Sequence, residues 1–125
     1  DGLGFRTIND EEGDSGNSLI LLLPDAKIAA EFRKALSAEG IPTGFLYNGE
    51  PIYMIPQMMK KKTVDRNNFP FDQFDEEIVY TRDMCPNSWK IMPRSANIGI
   101  SPTYTEKDVD DIVKAIRKVA GYLLK

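Results

Sequence analysis

The sequence predicts an α+β domain of two layers: a small antiparallel or mixed sheet with its helices packed on one face. Three observations lead there. Short apolar runs of strand length recur along the chain, two amphipathic helical patterns each follow such a run, and 125 residues with 42% apolar content suit one core. A chain of that size buries about 65% of its unfolded surface. Residues 1–125 are therefore read as a single domain.

The first elements are "GFRTI" (4–8) and "SLILLL" (18–23), separated by "NDEEGDSGN", whose Gly, Asp and Asn residues favour turns. An antiparallel hairpin is expected. Its acidic tip lacks the ligand spacing and closing glutamate of a calcium-binding loop, and reads as solvated. Pro24 and Asp25 end the second strand, and Asp25 can cap a helix from Ala26 to Glu39 that aligns Ile28, Phe32, Ala35 and Leu36. Gly40 then stops it. "TGFLY" (43–47) and "ANIGIS" (96–101) are further strand candidates. Thr105 with Asp108 forms a capping-box pattern ahead of a helix whose apolar positions are Val109, Ile112, Val113, Ile116, Val119, Ala120 and Leu123. This stripe and "LILLL" are the core that such a domain requires, not ligand sites.

Residues 48–95 differ from the rest. They hold five of the eight prolines, the soft apolar segment "MIPQMM", the run "KKK" and the aromatic "NFPFDQF". They read as a long irregular loop within the domain, a kind of segment that often carries function.

Composition excludes several function classes. A net charge of -3 offers no general attraction to nucleic acid and no polybasic membrane footprint. No apolar run approaches the roughly 18 residues of a membrane span, and "DGLGFRTIND" has no signal-peptide pattern, so the expected location is cytoplasmic. The Gly-flanked opening without an initiator methionine suggests that Asp1 lies inside a longer polypeptide. Histidine is absent and Cys85 is the single cysteine, which rules out an intrachain disulfide and a Cys/His zinc site; no metal is expected. Serine or cysteine nucleophiles would lack the usual imidazole base. Cys85, beside Pro86, reads as a small packed hydrophobe.

The charged clusters read as surface: Lys60, Lys61 and Lys62 point in different directions without a Gly-rich turn, and nothing sets Asp72, Asp75, Glu76 or Glu77 at a working separation. Tyr47, Asn48 and Tyr53 stand where a strand gives way to the long loop, a place from which polar side chains reach a cleft. Arg94, between Pro93 and a strand, could hold a carboxylate or phosphate through two parallel hydrogen bonds. The competing readings are structural tyrosines and a surface arginine.

Taken in order, "FRKALSAEGIPTGFLYNGEPIYMIPQM", "MCPNS" and "PRSANIGISPTYTEKDVDDIVKAIRKV" resemble the C-terminal part of the DegT/StrS family of pyridoxal phosphate-dependent sugar aminotransferases, over roughly residues 28–120. The resemblance implies the small domain of a fold-type I enzyme, working as a homodimer beside its own large domain. It implies amino transfer from glutamate or glutamine to a keto-sugar, with Tyr47, Asn48 and Tyr53 approaching the sugar and Arg94 holding the donor carboxylate. The cofactor would be bound by the large domain. None of the ten lysines here has the family's Schiff-base surroundings, so this segment is expected to be inactive alone. Two alternatives stay open: a non-catalytic regulatory or dimerisation module, and the small domain of a pyridoxal phosphate-dependent sugar dehydratase.

Overall fold

The computed structural model describes residues 2–125, with Leu46 described by its backbone alone. It is an α+β domain built on a three-stranded antiparallel sheet in the order β1-β2-β3. Strand β1 (Gly4–Phe5) pairs with β2 (Ser18–Leu22), placing Gly4 opposite Leu22 and Phe5 opposite Leu21. Strand β3 (Ser95–Gly99) lies along the other edge of β2, with Ser18 opposite Gly99 and Leu22 opposite Ser95. The hairpin at the N-terminus forms as its turn composition requires. Its acidic loop is pinned at Asp14, which pairs with Arg6 and accepts the Gly16 N–H.

Alternation along β2 and β3 sorts side chains onto two faces. Leu21 at the end of β2, Leu23 just beyond it, and Ala96 and Ile98 of β3 are buried on one face. Helix α1 (Ala26–Ala38) covers that face with Ala29, Phe32 and Leu36. The Asp25 carboxylate caps it by accepting the Ile28 N–H at 2.8 Å, and Gly40 turns the chain away with φ 85°. Two short helices, α2 (Pro56–Met59) and α3 (Pro86–Ile91), interrupt the loop. Helix α4 (Glu106–Leu123) completes the core with Ile112, Ala115, Ile116 and Val119. Burying each large apolar side chain of this set contributes about 1.5–3 kcal/mol before the entropy of folding is counted. A surface ion pair, Lys118 to Glu39 at 2.7 Å, joins α4 to α1.

Two expectations are corrected. "TGFLY" is not a strand: Gly44 makes one isolated bridge to Asn97, and the chain then leaves the sheet edge because Tyr47 and Asn48 adopt left-handed backbone. The stripe of α4 centres on Ile112, Ile116 and Val119, leaving Val109 and Val113 exposed. Val113 lies about 100° round the helix from Ile112, at the margin of the covered face. Helices α1 and α4 both cover the one face, as expected, while on the opposite side of the sheet Ile91 at the end of α3 and the following Met92 border a cavity with Ile20, Leu22 and Asn97. No helix among the described residues is long and apolar enough to cross a membrane.

The capping box of α4 yields a stability test. Thr105 Oγ1 accepts the Asp108 N–H at 3.3 Å, while Asp108 accepts from the Thr105 N–H and hydroxyl, each at 2.7 Å. The Thr105 hydroxyl first, and then its backbone N–H, hold the Asp108 carboxyl below the ordinary value. A carboxyl so lowered stabilises the fold fully above its unfolded pKa, and that contribution disappears as pH falls through the folded value, below about pH 4. Replacing Thr105 with Ala should cost about 1 kcal/mol at neutral pH. Urea unfolding should show the gap between parent and variant narrowing at pH 3; a gap that is the same at both pH values contradicts this account.

Candidate functional site

Two turns meet beside the β3 edge. The first spans Leu46–Gly49. Gly44 and Asn97 exchange backbone hydrogen bonds of 3.0 and 2.8 Å, Phe45 is still extended, and then Tyr47, Asn48 and Gly49 take φ of 49°, 56° and 80°. Asparagine and glycine visit this region readily, but for a tyrosine it costs about 1–2 kcal/mol. The turn closes through the Glu50 N–H, which donates to the Tyr47 carbonyl at 3.1 Å. Strain here does not serve to bury the aromatic ring, because Tyr47 remains 49% exposed. Backbone held in a costly conformation to display an exposed side chain is a feature of binding loops.

Gly49 is obligatory for a second reason. A Cβ on it would stand 2.7 Å from Cε2 of Phe45, closer than atoms can approach. The other neighbour of that missing Cβ is the Cα of Pro93, at 3.6 Å, which places the turn directly against the second one, Met92–Arg94. Tyr47, Asn48 and Arg94 are thereby brought into one region.

Arg94 is anchored at its base. Its Nε–H donates to the Leu23 carbonyl at 2.7 Å, and its own carbonyl accepts the Leu23 N–H at 3.0 Å. Among the described residues its terminal Nη atoms enter no ion pair and no hydrogen bond. A half-buried guanidinium with its stem fixed and its fork unengaged can receive a carboxylate or phosphate.

Tyr53 sits elsewhere, buried within the loop. Its hydroxyl accepts from Trp89 Nε1–H at 3.0 Å and donates to the Arg82 carbonyl at 3.3 Å, while its ring stacks with Tyr80 at 6.5 Å between centroids. The Arg82 guanidinium lies 4.3 Å over the Trp89 ring. Tyr53 thus gathers three distant parts of residues 48–95, and its hydroxyl is engaged both as donor and as acceptor.

The charged runs meet once: Lys61 Nζ lies 3.3 Å from Glu77, while Asp72, Asp75 and Glu76 are exposed. Cys85 is half-buried at the start of α3. Among the described residues no three His, Cys, Asp or Glu side chains gather as a metal-binding group. Nor do the lysines fit pyridoxal phosphate. A Schiff-base lysine needs a desolvated amine of lowered pKa, whereas every lysine is exposed except half-buried Lys61, whose ammonium is paired with Glu77.

The residues overlooked in the sequence are those that shape the turns: Arg33, Phe45 and Gly49. The dipeptide Asn48-Gly49 carried the signal, being a strong turn former that keeps the segment before it from continuing as a strand. Arg33 and Phe45 had none, since their pairing depends on a contact between helix α1 and the turn. No family model matches the chain, and no curated protein matches it.

Proposed function

We propose that this chain is the small domain of a pyridoxal phosphate-dependent aminotransferase that moves an amino group from glutamate or glutamine to a keto-sugar, as a homodimer with its own large domain. The observation that carries this reading is the abutment of two turns: a strained one displaying Tyr47 and Asn48, and one carrying an anchored, unpaired Arg94. Such an arrangement can hold hydroxyl and carbonyl groups of a sugar beside a carboxylate-binding guanidinium. The large domain would bind the cofactor, which supplies the electron sink for amino transfer. The residues here bind and orient the two substrates in turn, and this domain by itself is catalytically silent. Tyr53 acts in the same reading by holding the loop that borders the sugar, since its hydroxyl is already engaged.

The reading is tested in the full polypeptide by assaying amino transfer to keto-sugars. Replacing Arg94 with Ala removes a charge-assisted bidentate contact, so donor kcat/KM should fall by about 10- to 100-fold with a much smaller change for the sugar. Equal small losses for both substrates would remove Arg94 from the site. Exchange of Tyr47 for Phe should affect the acceptor half-reaction alone, by about tenfold for one hydrogen bond. Full activity in that variant would make Tyr47 a structural residue. A native polypeptide with no aminotransferase activity, in which the isolated domain binds a small ligand, would replace the catalytic reading with that of a regulatory module.

A further inference from the structure

The left-handed turn needs a device that keeps it from relaxing, and one is present on α1. The Arg33 guanidinium lies 4.0 Å from the centroid of the Phe45 ring, and the Cδ2–Cε2 edge of that ring closes on Gly49. Arg33 Nη1–H donates to the Ser95 carbonyl at 2.6 Å, which fixes the guanidinium plane and links it to the residue after Arg94. The Arg33 carbonyl accepts the Thr43 hydroxyl at 3.0 Å, so the segment entering the turn is held by the same residue.

We propose that Arg33, acting through Phe45, is a positioning residue that holds the Tyr47-Asn48-Gly49 turn in its left-handed conformation beside Arg94. The logic is steric and electrostatic. A guanidinium over an aromatic face is attracted to it, and a planar cation does this better than an ammonium. With Phe45 fixed, a side chain at position 49 would run into its ring, so glycine completes the turn there and the turn packs against Pro93. Without the cation the ring is free to rotate, and the strained residues lose what over-determines them. Burial lowers the Arg33 pKa, in keeping with a guanidinium partly withdrawn from water.

The role of these side chains in the turn stands apart from any catalytic assignment; its effect on a sugar rests on the reading above. The closing experiment separates the two. Amide hydrogen exchange is measured on the chain and on Arg33→Met, Arg33→Lys and Phe45→Leu, using the Glu50 N–H that closes the turn and the buried Ile98 and Ile116 amides as references. Expected is at least about tenfold faster exchange at Glu50 in Arg33→Met and Phe45→Leu, with the reference amides unchanged and partial recovery in Arg33→Lys. Unchanged Glu50 exchange in Arg33→Met overturns the proposal, as does an equal loss of protection at all three amides in both Arg33→Met and Phe45→Leu. In the full polypeptide the same variants should raise the acceptor KM about tenfold and leave donor kinetics alone. If Glu50 loosens but the acceptor constant does not move, the positioning role stands and the sugar-binding reading fails.

Discussion

The fold depends on one long-range pairing. Strands β2 and β3 must align so that Leu22 faces Ser95, although residues 23–94 intervene. The pairing is clamped just past its end by the reciprocal bonds between Leu23 and Arg94, 71 residues apart, one of them supplied by the arginine side chain. Closing so long a connection carries an entropic cost that grows slowly with length. The return comes from burying Leu21, Leu23, Ala96 and Ile98 together beneath α1 and α4. Arg94 therefore belongs to the fold and to the candidate site at once. Its Nε serves the first, and its fork, unengaged among the described residues, faces the second.

That dual use explains why the two turns can abut. The register of β3 fixes Ser95, and Ser95 fixes Met92–Arg94 through its hydroxyl bond to the Met92 carbonyl at 2.7 Å. The Gly44 bridge to Asn97 then delivers the chain from α1 to the same edge, so the Leu46–Gly49 turn has nowhere to go but against Pro93. A site assembled in this way is held by sheet register instead of by loop packing. The longer loop follows a different principle: its aromatic contacts between distant segments converge on Tyr53, while Ile52, Val64, Phe69, Phe74 and Val79 stay exposed. It is organised by an aromatic hub in place of a core of its own.

The sequence was legible wherever the cause was local. Asp25 and the Thr105–Asp108 box sit at the helix starts they forecast, because a cap is decided within four residues. The hairpin was legible from two apolar runs of strand length separated by turn residues, and β3 from the strand-like run "ANIGIS". "TGFLY" misled because its apolar and β-branched content fits a strand, whereas its conformation is set by Asn48-Gly49 downstream and by Phe45 meeting Arg33 from another element. At the candidate site, Arg94 could be picked from its position just before a strand, and Tyr47 and Asn48 from the start of the long loop. Their proximity could not, since it follows from the β2–β3 register. Tyr53 was grouped with Tyr47 and Asn48 at the loop start, but it is buried elsewhere in the loop, and its partners Trp89 and Arg82 lie more than a strand's length away and left no periodic trace.

Strain and support are distributed unevenly across this domain, and the distribution points toward the turns. Consecutive non-glycine residues at positive φ occur at Tyr47 and Asn48, where the cost falls on an exposed aromatic that gains no burial in return. Folding alone would favour a residue such as glycine at position 47. A tyrosine held there by a glycine that cannot be replaced, a ring that blocks retreat and a guanidinium that fixes the ring is an arrangement in which stability is given up locally to present a side chain. Tyr47 is thereby presented at the surface, and Arg94, anchored by its stem, stands on the adjoining turn.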